Sequence, residues 1–276
     1  MNDRVYILDI PIDTLSFNDL KHTIKTHIKN KKGLFISTVN ASFIYKALSN
    51  NDFKQILNST NINTADGVSV QLASEYLLWT NKSNVFSFLL NFILGIKLGF
   101  LFLTGKLNFT CILNRITGVE LTEFLLKLAN NNKLNTCILN RSDGLTSNNE
   151  IIKYIDANFP NINFRIESVN IKESINKDLS AYSIILCTLG EYYQEKLLYK
   201  YINNTDAILV GIGSTFDVLT QKIVKVDAKY KQKGLEWLLR LLKRPSRFPK
   251  IYRSVVLFPL KVYLSTLLQK DKNLCS

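Results

Sequence analysis

Seven short apolar segments alternate with stretches of helical periodicity along most of the 276-residue chain. This alternation is typical of a mostly parallel β-sheet flanked by helices. A first helix is predicted near residues 17–29, because Ser16 and Asp19 have the spacing of a capping box. The sequence therefore predicts an α/β fold. Its expected strands are Arg4–Leu8, Leu34–Thr38, Asn61–Ala65, Asn135–Leu139, Asn163–Glu167, Ser183–Thr188 and Ala207–Gly211.

Polar or glycine-containing segments follow five of these strands. Ligands of open parallel sheets bind beyond the carboxyl ends of the strands. We therefore expect these segments to share one edge of the sheet and to converge on one cleft. They are Thr38-Val39-Asn40, Asp66-Gly67, Arg141-Ser142-Asp143-Gly144, Gly190 with Gln194, and Gly211-Ile212-Gly213-Ser214-Thr215.

Asp66 is the sharpest catalytic candidate, since it follows an apolar strand and precedes Gly67. A carboxylate at the floor of a cleft can act as a general base. Asp is also a good N-cap, so the same residue can instead cap a helix that starts near Val68. Thr38 and Asn40 have the same two interpretations, substrate binding or helix capping.

A phosphate could be met by the glycine-containing turn at 211–215, through its backbone N–H groups, and by the cations of Arg115 and the basic tail. No paired acidic motif suggests a metal site. His22 and His27 are the only histidines, so zinc or histidine-based catalysis is not expected. The four cysteines lack CxxC spacing, and the N-terminal residues lack a signal-peptide pattern. Both features predict a cytoplasmic protein with reduced thiols.

The positive charge of the chain is concentrated near its C-terminus. Residues 222–253 contain eleven Lys or Arg against two acidic residues, which is +9 of the total +13. Strongly apolar stretches lie beside this segment. The pattern indicates an anionic, partly apolar partner: nucleic acid, an anionic membrane surface or a phosphorylated substrate.

Val85–Leu103 is apolar except for three residues, Ser87, Asn91 and Lys97. A membrane-spanning helix needs roughly 20 apolar residues. Three interpretations stay open for this segment. It can span a membrane, insert in the plane of a membrane surface, or form a buried or dimer-facing helix.

The basic tail carries one predicted amphipathic helix, ended by Pro245, and a second apolar stretch at Val255–Leu268 that is broken at Pro259. The second stretch suits a helix that lies in a membrane interface, or one that packs on the core with a solvated basic face. The apolar stripe of the first helix consists of Leu235, Leu238, Leu239 and Leu242.

Several motifs occur in an order and spacing that resemble the WecG/TagA/CpsF family of bacterial glycosyltransferases. The resemblance covers residues 4 to about 253. The motifs are Thr38-Val39-Asn40, Thr64-Ala65-Asp66-Gly67-Val68, Arg115-Ile116-Thr117-Gly118, Leu189-Gly190 with Gln194-Glu195, Gly211-Ile212-Gly213 with Phe216-Asp217, and Gly234-Leu235-Glu236-Trp237 with Arg240, Pro245 and Arg247.

The resemblance implies a Rossmann-like, GT-E-like α/β core at residues 1–215, with an apolar insertion at about 80–110. It also implies a basic, amphipathic helical appendage at residues 216–276 that associates with the membrane. The implied reaction is an inverting sugar transfer that needs no metal or other cofactor. N-acetylmannosamine would move from its UDP form to a polyprenyl-diphosphate-linked acceptor sugar, at the inner face of the bacterial cell membrane. The products would feed teichoic acid, capsule, exopolysaccharide or common antigen.

By resemblance, Asp66 is the base and is joined by Thr38 and Gln194 as catalytic residues. Further substrate-binding residues are implied in the core and in the appendage. They are Asn40, Arg115, Gly190, Glu195, Gly211, Gly213, Arg240 and Arg247.

Four segments depart from the family pattern: Asn140–Gly144, Glu191–Tyr193, Lys225–Asp227 and the apolar stretch Val85–Leu103, which looks like an insertion between two motif blocks. They leave the donor and the acceptor open, and a different UDP-hexose is an alternative donor. A non-catalytic membrane adaptor of the same fold is a rival function. A nucleic-acid-binding protein is disfavoured, because the basic stretch is interleaved with Leu and Val. Whether the chain forms a homo-oligomer is left open.

Overall fold

The computed structural model describes residues 3–80, 87–171, 177–223, 236–243 and 248–268. It contains all seven predicted strands and one that was not predicted, β2. The strands are β1 Arg4–Ile7, β2 Ile10–Asp13, β3 Leu34–Val39, β4 Ile62–Ala65, β5 Asn135–Arg141, β6 Asn163–Val169, β7 Ile184–Cys187 and β8 Ile208–Gly211.

Six of the strands form one fully parallel sheet, in the order β4-β3-β8-β7-β5-β6. Helices flank it, which confirms the predicted Rossmann-like α/β fold. They are α1 Phe17–Lys29, α2 Ala41–Ala47, α3 Asn51–Ser59, α4 Val68–Thr80, α5 Ser87–Leu103, α6 Gly118–Asn132, α7 Asn148–Asn158, α8 Tyr193–Tyr199, α9 Thr215–Leu219, α10 Glu236–Lys243, α11 Phe248–Tyr252 and α12 Phe258–Leu268.

The central strands are apolar on both faces because helices cover both. Ile36 and Val210 point into one core, with α1, α6 and α7. Phe35 and Leu209 point into the other, with α8. This is the usual reason that strands of parallel sheets are continuous apolar runs rather than alternating ones.

The first predicted strand lies outside the main sheet. β1 pairs only with β2, in an antiparallel hairpin whose turn is Leu8-Asp9. Both turn residues have positive φ, 51° and 64°, as a two-residue type I′ turn requires. Asp13 ties the hairpin to the edge of the sheet, because it accepts the N–H of Asn63 in β4 at 2.7 Å. It also pairs with Arg4 of β1 at 2.9 Å, within the hairpin.

The predicted first helix is confirmed as α1, including the capping box between Ser16 and Asp19. The same box recurs at α6, where Thr117 caps the helix and Glu120 bonds back to the Thr117 N–H. Because α6 starts beside the carboxyl ends of the strands, this cap fixes the chain at the rim of the cleft into which those ends open.

The apolar segment predicted at 85–103 forms α5 from Ser87 onward. One side of it packs on α4 and α12: the Tyr76 hydroxyl donates to the Asn91 carbonyl at 3.2 Å, and Asn91 Nδ2 donates to Thr266 Oγ1 at 3.1 Å. The opposite side is exposed. Of the helices within the described ranges, none is both long enough and apolar enough to cross a bilayer.

Three leucines of the apolar stripe predicted for the first tail helix lie on α10, namely Leu238, Leu239 and Leu242. The fourth, Leu235, and the predicted helix end at Pro245 fall outside the described residues. Pro259 does not break the second helix as predicted. A π-helical turn at Arg253–Leu257 precedes it and continues directly into α12. A wider turn accommodates the proline ring, which lacks an N–H and crowds the preceding turn. Phe258 and Val262 are buried, so α12 packs on the core along one face.

Candidate active site

The carboxyl ends of β3, β4, β5, β7 and β8 open onto one cleft of about 760 Å³. All five predicted polar segments contribute residues to its lining. The convergence expected from a parallel sheet is therefore confirmed.

Asp66 follows β4 directly and lies partly exposed in the lining of the cleft. Its N–H donates to the Val39 carbonyl at 2.8 Å, which holds the ends of β3 and β4 side by side. The Ile116 N–H bonds to Ala65 O at 3.0 Å, so the neighbouring Arg115 also reaches the cleft. A carboxylate and a guanidinium thus lie on adjacent backbone segments at one end of the cleft.

Thr38 is buried at the end of β3, where its hydroxyl donates to the Gly211 carbonyl at 3.4 Å. The start of α6 approaches this hydroxyl closely. A methyl group on Gly118 would lie 3.2 Å from Thr215 Oγ1 and 3.7 Å from Thr38 Oγ1. A glycine at the first turn of α6 therefore lets the helix terminus face two threonine hydroxyls.

Asn40 caps α2. Its Oδ1 accepts from the N–H groups of Ser42 and Phe43, at 3.0 and 3.3 Å. The capping interpretation is thus confirmed for this residue. Asn40 also lines the cleft, so its role in substrate binding stays a prediction.

Gln194 is buried, and both ends of its amide are engaged within the protein. Oε1 accepts from the N–H groups of Gly190 and Gly213, each at 3.0 Å. Nε2 donates to Glu195 Oε1 at 2.7 Å. Because Gly190 follows β7 and Gly213 follows β8, this side chain joins two loops of the cleft. We call it the Gln194 clamp.

The side chains of Gln194 and Glu195 pack directly against the backbone of Gly211. A Cβ there would lie 2.6 Å from Glu195 Oε1 and closer still to Gln194 Nε2. No side chain fits without moving both buried groups. Two further predicted glycines, Gly190 and Gly213, have φ of +84° and +50°, which favours glycine for backbone reasons.

Glu195 is fully buried beneath the clamp and does not line the cleft. Burial raises the pKa of Glu195 to about 8, against the opposing effect of the hydrogen bonds that its carboxylate accepts. Those bonds come from Gln194 Nε2 and, at 2.9 Å, from the Tyr192 N–H. Its contacts are those of a residue that supports the loops, and substrate contact by Glu195 stays a prediction.

The segment after β5 forms the far end of the cleft. Arg141 makes a two-point ion pair with Asp143, at 2.6 and 2.7 Å, which raises the pKa of Arg141 and lowers that of Asp143. The Arg141 N–H donates to Thr188 Oγ1, which in turn donates to Asn140 Oδ1. The segment that departs from the family pattern is therefore held in place by its own ion pair and by β7.

The appendage forms part of the cleft wall through Trp237 of α10 and Lys250 of α11. Lys250 pairs with Glu191 at 2.9 Å, and Glu191 also accepts from the Ser42 hydroxyl at 2.9 Å. Burial alone would raise the pKa of Glu191, but Lys250 and Ser42 together hold it below the usual value. Arg240 lies on α10, but its side chain is outside the part of the chain that the structure describes. Arg247 is outside that part altogether.

Sequence reasoning missed Lys46, Lys250 and Glu191 as cleft residues. Among the described residues, four cationic and four acidic side chains line the cleft, namely Lys46, Arg115, Arg141 and Lys250 with Asp66, Asp143, Glu191 and Asp217. Two of these cations are paired with acids of the same cleft. Within the described ranges, no group of three His, Cys, Asp or Glu side chains is arranged to hold a metal ion.

Comparison with known proteins gives a family. The chain matches the family described as "Glycosyl transferase WecG/TagA/CpsF family" over residues 5–92 and 99–272. The unmatched residues between these ranges lie within α5.

Two curated relatives share the name N-acetylglucosaminyldiphosphoundecaprenol N-acetyl-beta-D-mannosaminyltransferase. The protein of Bacillus subtilis (strain 168) is 23% identical over 255 residues, covering 90% of this chain and 84% of the relative. That of Bacillus spizizenii is 24% identical over 253 residues, covering 87% and 86%. The family match spans nearly the whole chain and includes every cleft segment, so this chain belongs to the WecG/TagA/CpsF family of glycosyltransferases.

Proposed function

We propose that this chain transfers N-acetylmannosamine from UDP to an N-acetylglucosaminyl-diphospho-polyprenol, with inversion at the anomeric carbon. The names of both relatives support the transferred sugar and the lipid-linked acceptor. The observation that carries the proposal is the convergence of Asp66, Thr38 and Arg115 at the carboxyl edge of a parallel sheet. The product feeds the synthesis of a cell-surface polysaccharide.

Asp66 acts as the general base. Its carboxylate takes the proton of the acceptor sugar hydroxyl while the hydroxyl oxygen bonds to the anomeric carbon and the bond to UDP breaks. Such assistance contributes roughly 10²–10⁴-fold to a rate. The position of Asp66 supports this role, because its N–H bonds to the Val39 carbonyl and the Ala65 carbonyl before it accepts from the Ile116 N–H.

The diphosphate of the donor leaves with negative charge, which basic side chains stabilise in the transition state. Arg115 and Lys46 line the cleft, and Arg240 and Arg247 are the appendage residues implied by family resemblance. Arg141 and Lys250 are held by acids of the cleft, so a diphosphate that binds there exchanges one ion pair for another.

The reaction takes place at the inner face of the cell membrane, where a polyprenyl-linked acceptor lies. The net charge of +9 over residues 222–253 supports attraction of the appendage to anionic lipid. Each basic residue near such a surface contributes about 1 kcal/mol. Vesicle binding by a chain truncated after residue 221 should therefore fall sharply, and unchanged binding would argue against this role of the appendage.

The decisive experiment is release of UDP by the purified chain in detergent. The acceptor is a short-chain polyprenyl-diphosphate-N-acetylglucosamine, and the donors are a panel of UDP-sugars that includes UDP-N-acetylmannosamine. We expect acceptor-dependent release with that donor. Release with another UDP-hexose alone would contradict the assigned sugar, and an intact donor throughout would support the non-catalytic adaptor.

Asp66→Asn tests the base, with Asp156→Asn as its matched control. Both changes remove one carboxylate charge at nearly constant volume, but Asp156 is exposed on α7, outside the cleft. We expect turnover to fall at least about 100-fold in the first variant and to stay near wild type in the second. Retention of most turnover in Asp66→Asn would exclude the proposed base.

A further inference from the structure

The outer side of α5 carries a stripe of large apolar side chains that are all more than half exposed within the described chain. Its members are spaced for one face of a helix and are each between 51% and 64% exposed. We call them the α5 stripe. They are Leu89, Phe92, Ile93, Ile96, Phe100 and Leu103. Contiguous apolar patches of this kind mark interaction surfaces.

The inner side of α5 fixes which residues face outward. Leu98 and Asn91 are buried against α4 and α12, and Gly95 sits against the Tyr76 ring, 3.5 Å from where its Cβ would be. Tyr263 of α12 packs edge-on against Phe88 and Phe92. The stripe is therefore held outward by a packed two-helix unit.

Charge decides what kind of partner fits the stripe. Residues 76–119, which contain α5, include four basic residues and no acidic one. Residues 237–276, which contain α12, include nine basic residues and one acidic residue. These two segments thus hold twelve of the thirteen net positive charges of the chain, and an anionic partner is favoured.

A second copy of the chain would bring two such segments together, and their like charges would repel. Nucleic acid is a poor match because the centre of the surface is apolar rather than cationic. An anionic bilayer meets both requirements. Its acyl region accepts the stripe and its headgroups accept exposed cations of the same two helices, such as Lys97 on α5 and Lys261 on α12, as for helices that lie in a membrane interface.

The stripe is also joined to the cleft by two helical paths. α4 begins two residues after Asp66, and Tyr76 contacts α5 about 12 Å further along that helix at 1.5 Å per residue. The π-helical turn lines the cleft through Ser254 and Val255 and continues into α12, which packs on α5. A bilayer contact at α5 thus has a fixed position relative to Asp66.

We propose that the α5 stripe inserts in the plane of an anionic membrane surface and is the apolar anchor of this chain. It acts beside the basic appendage, which supplies the electrostatic attraction. The inference deepens the proposed function, since it names the surface through which the cleft meets its lipid-linked acceptor. In-plane helices bury their apolar face about 5–10 Å deep, so six exposed side chains suffice for docking without a span.

The test uses the full chain and vesicles of equal parts phosphatidylglycerol and phosphatidylcholine. The stripe variant carries Ile93→Gln, Ile96→Gln and Phe100→Gln. The matched control carries Tyr6→Gln, Leu48→Gln and Ile152→Gln, at exposed apolar positions on other elements. Neither set changes the net charge. We expect vesicle partitioning to fall at least tenfold in the stripe variant and to stay near wild type in the control. Equal binding by all three proteins overturns the proposal.

A depth measurement covers the case in which the stripe variant is unstable. Ile96→Trp and Ile152→Trp are compared in a background of Trp79→Phe and Trp237→Phe, with brominated lipid as quencher. Strong quenching of the first and little of the second supports insertion, whereas equal quenching overturns it. A wild-type dimer that the stripe variant abolishes, with vesicle binding unchanged, would assign the stripe to self-association and also overturn it.

Turnover separates this inference from the proposed function. On a short-chain acceptor without vesicles, the stripe variant should match wild type, and only transfer to a long-chain acceptor in vesicles should fall. If neither protein transfers sugar but their vesicle binding differs as expected, the docking surface stands and the proposed reaction fails. If both transfer sugar and bind vesicles equally, the reaction stands and the docking surface fails.

Discussion

Asp66 and Gln194 both line the cleft, after β4 and β7, yet they are held in different ways. Asp66 is partly exposed and is positioned through its backbone, with its carboxylate in the lining of the cleft. Gln194 is buried, and its amide is engaged with Gly190, Gly213 and Glu195. The Gln194 side is thus a support that fixes two loops, whereas the Asp66 side is where we propose that the reaction takes place.

The largest effect is expected from Asp66→Asn. Turnover should fall by about 10²–10⁴, because the proposed base is lost, while the free energy of unfolding changes little. Steady-state kinetics together with denaturant unfolding measure both quantities on one preparation. A large loss of stability in this variant would show that Asp66, like Gln194, supports the fold of the cleft.

For Gln194→Ala we expect the opposite: the main effect should be a loss of stability rather than a direct loss of the chemical step. The substitution leaves the N–H groups of Gly190 and Gly213 without their acceptor, and both groups are only partly buried at the cleft. Since a hydrogen bond typically contributes about 0.5–1.5 kcal/mol, we expect a loss of roughly 1–3 kcal/mol in the free energy of unfolding, measured with urea. A variant that is as stable as wild type but inactive would instead make Gln194 a catalytic residue.

The raised pKa of Glu195 predicts that the stability of the protein depends on pH. Its pKa is raised to about 8 in the folded protein from a reference value of 4.5. The folded state then binds the proton more tightly, so stability is highest below pH 4.5 and falls as the pH rises to about 8. The loss by pH 7 is about 3 kcal/mol.

Glu195→Gln removes this titration. The amide replaces one accepting oxygen, so the variant starts less stable in acid, but its stability should decline less between pH 5 and pH 8. Urea unfolding at several pH values gives both slopes. Parallel slopes would show that Glu195 is ionised in the folded state.

The smallest effect is expected from Glu191→Gln, which removes the ion pair with Lys250. Lys250 is about half exposed, so solvent screening limits the contribution to about 1 kcal/mol or less. We expect faster hydrogen exchange in residues 248–268 with little change elsewhere. Lys261→Gln, an exposed charge on α12, is the control and should leave the exchange unchanged.

The strands of the sheet and their shared edge were predictable, because apolar runs between helical patterns carry that information in local sequence. β2 was not, since the Leu8-Asp9 turn contains neither Gly nor Asn and Asp9 alone is a weak turn signal. The Gln194 clamp was also beyond reach, because its partners Gly190 and Gly213 lie in different loops. The pairing of Glu191 with Lys250 joins residues 59 positions apart, and no pattern within one element indicates it.

Asn91 fixes the rotation of α5 about its own helix axis. It is the one polar residue buried along a helix of apolar side chains within the described range, and it bonds to Thr266 on α12. A slip of a single position would rotate the helix by about 100° and pull this amide away from its partner. A lone buried amide specifies register in helix pairs for the same reason. Apolar packing alone would tolerate many orientations of α5, and the amide selects the one that presents the same six side chains outward.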